Sequence, residues 1–225
     1  MRQKTLTVNT IRLDAVLPKV FGGMEDDERV RSSRIWMADC RFERGGHYLV
    51  EAESGMGKSS MCSYIYGART DYSGTILFDG SDVRAYSDVT WCALRQSVLA
   101  LVPQHLALFG GLTAIENVML KNDLTGHRTK GEIEAMFGRL GIADRMNRRV
   151  DRLSVGQQQR VAIIRALCQP FDFLLLDEPV SHLDSENNRR VAALVSEAAA
   201  ESGGAVISTS VGNPLLLDNA IHLKL

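Results

Sequence analysis

A short apolar run, Tyr48-Leu49-Val50, leads into Ala52-Glu53-Ser54-Gly55-Met56-Gly57-Lys58-Ser59, and the stretch from Lys58 to Tyr66 is permissive for helix. Strand, glycine-bearing loop and helix in immediate succession constrain this chain more than any other feature, because that order is how a phosphate-binding loop is built. Small residues let consecutive backbone N–H groups approach an anion, and the helix presents its positive end. Lys58 is placed to reach β- and γ-phosphate oxygens, and Ser59 to ligate magnesium. The pattern has glycine at its first position, where this chain has Ala52. Alanine would cost on the order of 1 kcal/mol there if the residue needed a positive φ. On spacing alone, a plain glycine turn before a helix stays open.

The rest of the chain alternates in the same way. Residues 6–13 and 35–42 read as strands, with a solvated, charged loop at 22–29 between them. Residues 76–78 before Asp79-Gly80, and 98–102, read as further strands, and residues 113–147 read as helical. Residues 154–168 form a strong helix, and 173–176 a short buried strand between Pro170 and Pro179. An alanine-rich helix spans 185–201 and closes at Gly203-Gly204, after which 205–208 and 221–225 supply strands. Strands alternating with helices imply an α/β fold with a mostly parallel sheet.

A second feature narrows the chemistry. Phe173-Leu174-Leu175-Leu176-Asp177-Glu178-Pro179 is an apolar strand that ends in two adjacent carboxylates. Downstream of a phosphate loop, the first such carboxylate holds magnesium and a following glutamate polarises the water that attacks the γ-phosphate. A buried strand ending in an acidic turn would be unremarkable by itself. Together with Lys58 and Ser59 it points to MgATP.

The third feature separates families. Leu153-Ser154-Val155-Gly156-Gln157-Gln158-Gln159-Arg160-Val161-Ala162-Ile163-Ile164-Arg165-Ala166-Leu167 lies just before the Asp-Glu strand. Here the chain resembles the ATP-binding cassette (ABC) ATPases, whose signature is LSGGQ followed by QRVAIARAL, and the resemblance spans nearly the whole chain. It implies one domain over residues 1–225: a P-loop NTPase (RecA-like) core at 1–91 and 159–225 with a mostly parallel sheet, an N-terminal antiparallel β portion, and an inserted helical subdomain at 92–158. It also implies a head-to-tail dimer, most simply of two identical ATPase subunits, with two ATP molecules sandwiched between them.

Site roles follow from the resemblance position by position. Ser54, Gly55, Met56, Gly57, Lys58, Ser59 and Ser60 would hold the phosphates, and Phe21 would stack on adenine, although a core phenylalanine reads almost as well there. Ser154, Gly156 and Gln157 would offer donors at a helix N-terminus to the partner's ATP. Gln104 matches the glutamine that senses magnesium, joining Ser59 and Asp177 in the metal set. Ser181-His182-Leu183-Asp184 is similar to the SALD loop that touches the opposite site, with Asp184 its functional member and His182 read as a polar interface residue. Val155 replaces a signature glycine. Ser210 stands where the family has a γ-phosphate histidine, which implies slow hydrolysis with Glu178, Gln104, Lys58 and Ser210 as the catalytic set.

The run LVPQ…LFGGLTAIENV looks most like the subfamily of lipoprotein release, macrolide-type export and cell division. The implied function is a MgATP-hydrolysing transporter subunit that drives a separate integral membrane permease. A slow ATP-dependent switch that signals to a membrane partner without transporting a solute is the alternative. A small-molecule kinase would leave residues 153–157 without a role.

Composition sets outer limits on these readings. With 26 Lys and Arg against 27 Asp and Glu, a net charge of -1 gives no electrostatic reason to expect nucleic acid. Cys40, Cys62, Cys92 and Cys168 are widely spaced and read as free thiols in a reducing compartment. The N-terminus carries Arg2 and Lys4, but Asn9, Arg12 and Asp14 interrupt any apolar signal core. No run approaches the roughly 18 apolar residues of a membrane helix. A cytoplasmic protein, peripheral on the membrane's inner face through its partner, is the expectation.

Overall fold

The computed structural model describes residues 6–24 and 26–225, so Arg2, Lys4 and Glu25 lie outside it. The chain begins with β1 (Thr10–Pro18), a helical turn α1 (Glu28–Arg31), β2 (Asp39–Glu43) and β3 (His47–Glu51). It continues through α2 (Lys58–Ile65), β4 (Tyr72–Phe78), β5 (Ser81–Asp82), α3 (Asp88–Ser97) and β6 (Leu99–Val102). Then come α4 (Ala114–Asn122), α5 (Lys130–Arg139), α6 (Val155–Leu167) and β7 (Phe173–Asp177), followed by α7 (Ser185–Ser202), β8 (Ala205–Ser210) and β9 (Ile221–Lys224).

Two sheets result. Strands β2-β1-β4-β5 form an antiparallel sheet, and β6-β7-β8-β3-β9 an all-parallel one. Every residue of β7 is buried, as a central parallel strand covered on both faces requires. Its side chains alternate between two cores. Leu174 and Leu176 join Phe137, Ile163 and Val195 beneath α4 to α7, while Phe173 and Leu175 join Ile11, Phe42, Met61 and Phe78 between the two sheets. This is the α/β fold with a parallel core sheet and an antiparallel portion that the sequence implies.

The helix ends are set by local chemistry. Thr113 with Glu116, Thr129 with Glu132 and Ser154 with Gln157 form reciprocal capping boxes at the starts of α4, α5 and α6. Gly203 closes α7 with φ of 61°. No helix among the described residues is long and apolar enough to cross a membrane.

Four boundaries differ from the sequence reading. The first strand runs Thr10–Pro18 rather than 6–13, because its antiparallel pairing with β4 continues to Leu17↔Ser73 and Pro18↔Tyr72. The stretch 35–42 is not one strand: Ser33 Oγ accepts from the N–H groups of Ile35 and Trp36, Met37 adopts φ of 56°, and extended pairing starts only at Asp39. The charged loop contains a helical turn, with Asp27 accepting from Arg29 N–H at its N-terminus. Within the interval 92–158, Leu99–Val102 is a strand of the core sheet, paired with β7, so helical structure without core pairing begins only after it.

Candidate functional site

The ends of β3, β7 and β8 meet beside the N-terminus of α2, the edge of a parallel sheet where ligands are received. The loop 52–59 turns there with Gly55 at φ of 85° and Gly57 at 93°, conformations that glycine adopts without strain. Ala52 is absent from the positive-φ residues, so alanine at the first loop position carries no such penalty. Among the described residues, no acceptor takes the N–H groups of Gly55, Gly57, Lys58 or Ser59. The loop thus offers consecutive unpaired donors at a helix start, the local construction of an anion site.

Lys58 is only 4% exposed, and its ammonium donates to the carbonyls of Ala52 at 3.0 Å and Glu53 at 2.9 Å. Glu178 Oε1 stands 3.8 Å from Lys58 Nζ. Burial pushes the Lys58 pKa below the usual lysine range, against the opposing pull of Glu178 and Asp177.

The carboxylate pair is positioned by a residue that sequence reasoning did not single out. Thr209, fully buried on β8, donates from Oγ1 to Asp177 Oδ1 at 2.8 Å and accepts from Glu178 N–H at 3.1 Å. One hydroxyl therefore fixes both the direction of the Asp177 side chain and the turn at Glu178. That turn is strained, since Glu178 has φ of 51° at the strand end. The signal for Thr209 lay in its place immediately before Ser210, at the tip of the strand adjacent to β7.

Ser59 Oγ donates to Gln104 Oε1 at 3.5 Å, which brings the exposed loop after β6 to the phosphate loop. Ser59, Gln104 and Asp177 supply only oxygen donors, and the second carboxylate oxygen of Asp177 accepts from no described residue. This donor chemistry fits a hard divalent cation such as magnesium. The loop beyond Gln104 is tied to α6, because Arg165 donates to the carbonyls of Leu106 at 2.8 Å and Ala107 at 2.7 Å.

The remaining predicted residues are placed as follows. Ser54 is exposed and lines, with Ala52, Glu53, Arg34 and Ser210, a cavity of about 830 Å³. Met56 is buried, and Ser60 accepts from Arg69 at 2.9 Å, so its hydroxyl is engaged beside the loop. Phe21 follows β1 and reaches the phosphate loop: a methyl added to Gly57 would lie 3.3 Å from its ring. Ser210 is buried, and its Oγ accepts from Gly212 N–H at 3.1 Å. It also shares a smaller cavity of about 270 Å³ with Glu178 and Ser181.

Ser154 and Gln157 are engaged with each other as the cap of α6, which leaves the helix N-terminus facing outward with Val155 about half exposed. Gly156 permits a close approach: a methyl there would lie 3.0 Å from the His182 carbonyl and 3.1 Å from the Leu183 side chain. The segment 181–184 is therefore held against the start of α6. Gln159 strengthens that contact by donating to Ser181 Oγ and accepting from His182 N–H. Asp184 caps α7, accepting from Asn187 N–H at 2.8 Å, and that contact holds its carboxyl below the usual range. Lys58, Ser59, Gln104, Asp177, Glu178 and Ser210 thus gather at one site, whereas Ser154, Gly156, Gln157 and Asp184 lie at the starts of α6 and α7, with Ser154 and Asp184 exposed and Gly156 and Gln157 partly buried.

Residues 38–181 match the family described as ABC transporter. The chain is 31% identical over 203 residues to the lipoprotein-releasing system ATP-binding protein LolD of Shewanella frigidimarina, covering 88% of this chain and 85% of that protein. It is 30% identical over 188 residues to the ABC transporter ATP-binding protein YclH of Bacillus subtilis, covering 82% of each. The dimeric structure of MJ0796, a bacterial ABC transporter cassette, shares the fold with a TM-score of 0.76 at 23% identity, over 95% of this chain and 94% of that one.

Proposed function

The chain belongs to the ABC transporter family of ATP-binding ATPases, and from that premise we propose that it binds MgATP at the 52–59 loop, closes with a second copy around two ATP molecules, and drives a separate membrane permease. The observation that carries this reading is the convergence of Lys58 and Ser59 with Glu178 and Gln104 at one sheet edge. Unpaired loop N–H groups and the Lys58 ammonium receive the phosphates, and Glu178 accepts the proton of the attacking water. Ser59, Asp177 and Gln104 would hold magnesium, which would supply charge neutralisation on the phosphate oxygens.

In this reading the outward face of α6 and residues 181–184 meet the ATP of the other copy, in the head-to-tail manner of the family signature. Rearrangement there would pass through Arg165 and the loop after Gln104 to the groove that the permease occupies. Val155→Glu tests the geometry without disturbing a cap, because Val155 is half exposed and its side chain makes no capping bond. A carboxylate set against the partner's phosphates should leave MgATP binding to the monomer within about twofold, while turnover falls by about tenfold or more. Unchanged turnover would remove that face from the reaction.

Ser210 favours a slow version of the activity, because its hydroxyl is bonded back to Gly212 and has a shorter reach than an imidazole. Ser210→His in the assembled complex is expected to raise steady-state turnover by about tenfold; no change would sink the slow-site assignment. The same residue supports a second reading, an ATP-dependent switch whose bound state signals to a membrane partner.

A further inference from the structure

We propose that Trp36 is a positioning residue for phosphate binding, locking the Met56–Gly57 peptide so that its N–H faces the nucleotide. This rests on the 52–59 loop being the ATP site. The indole is 1% exposed and its Nε1–H donates to the Met56 carbonyl at 3.0 Å. No peptide bond among the described residues is cis, so the Met56 C=O and the Gly57 N–H point in opposite directions across one rigid plane. Holding the carbonyl toward the protein interior therefore directs the Gly57 N–H outward, where no described residue accepts from it. Without the indole bond, that peptide could rotate and present an oxygen to the phosphates instead.

The surrounding geometry supports the assignment. A methyl on Gly57 would lie 3.0 Å from Trp36 Cζ2, so ring and loop are already in close packing. The tryptophan is held from behind as well: Ser33 Oγ accepts from its N–H at 2.8 Å, Arg34 N–H donates to the Lys224 carbonyl at 2.8 Å, and Met37 N–H donates to the Val16 carbonyl at 2.9 Å. Met37 is also kept at φ of 56°, a conformation that a non-glycine side chain rarely adopts. A strap from 33 to 37, anchored on β9 and β1, thus presses one indole N–H onto one loop carbonyl. A methyl on Gly57 would also lie 3.3 Å from the Phe21 ring, so both rings border the same loop position.

Trp36→Phe retains an aromatic ring and removes the donor. By calorimetry with the intact chain, MgATP and MgADP binding should weaken by about tenfold, the effect of one misdirected buried donor, while adenosine binding stays within twofold. An equal loss for adenosine, or MgATP affinity within twofold of the unsubstituted protein, would overturn the proposal. Failure of the unsubstituted protein to bind MgATP would instead remove the ATP-site reading itself. A second measurement leaves Trp36 itself in place. The chain has two tryptophans, so Trp91→Phe leaves Trp36 as its sole indole emitter. MgATP should change that emission and adenosine should not; no response to saturating MgATP would count against contact between indole and phosphate loop.

Discussion

Glu178→Gln is expected to lower steady-state ATP turnover by at least about a hundredfold and to leave a dimer that persists in MgATP. Glutamine keeps the size of the side chain and removes the proton acceptor, and a positioned general base contributes about 10²–10⁴-fold. The backbone should hold, because the φ of 51° at this residue is fixed by Thr209 and not by its own carboxylate. Binding should strengthen at the same time. Glu178 Oε1 lies 3.8 Å from Lys58 Nζ, and neutralising it frees the ammonium for phosphate while removing a like charge from the γ-phosphate's surroundings. Light scattering should then read twice the 24.8 kDa chain mass in MgATP and the single mass in MgADP. A monomer under both conditions would count against the two-ATP arrangement, and unimpaired turnover would remove Glu178 as the base.

Lys58→Met should act on the step before. Methionine follows the same straight course without the ammonium, so MgATP affinity should fall by about a hundredfold, the scale of a lost charge-assisted hydrogen bond. Apo stability should not fall in parallel. The side chain is 4% exposed, so shedding its desolvated charge partly offsets the loss of the donors to the Ala52 and Glu53 carbonyls and of the ion pair with Glu178. Calorimetric titration beside a thermal melt separates the two effects. The native lysine also predicts a pH dependence. Burial lowers its pKa, and binding needs the protonated form, so affinity should decline with rising pH earlier than an ordinary lysine would dictate. Affinity within threefold of native for Lys58→Met would show that the loop N–H groups alone hold the phosphates.

Much of this arrangement follows from spacing along the chain. The order strand, glycine loop, Lys58-Ser59 and helix, the later apolar strand ending in Asp177-Glu178, and the capping boxes at Thr113, Thr129 and Ser154 are local patterns, each acting within a few residues. Local patterns are readable because backbone geometry and side-chain reach fix them without distant partners. The α/β class rests on the first two, and the family resemblance on these together with residues 153–167.

Other features depended on segments far apart in sequence. Ala52 looked costly only while its φ was unknown, and the structure puts the left-handed turns at Gly55 and Gly57. Gly156 was expected as a phosphate donor, but its lack of a side chain also admits the His182 carbonyl. Asp184, expected at the opposite site, caps its own helix. Thr209 and Trp36 gained their roles from contacts 32 and 20 residues away along the chain, with Asp177 and Met56 respectively. The sequence by itself determined that a phosphate loop and a carboxylate pair exist on an alternating α/β chain, since hydrophobic period and loop chemistry are local. Only the tertiary structure decided which buried donors aim them, because a single hydroxyl or indole N–H acquires that power from the strand or strap that carries it to the site.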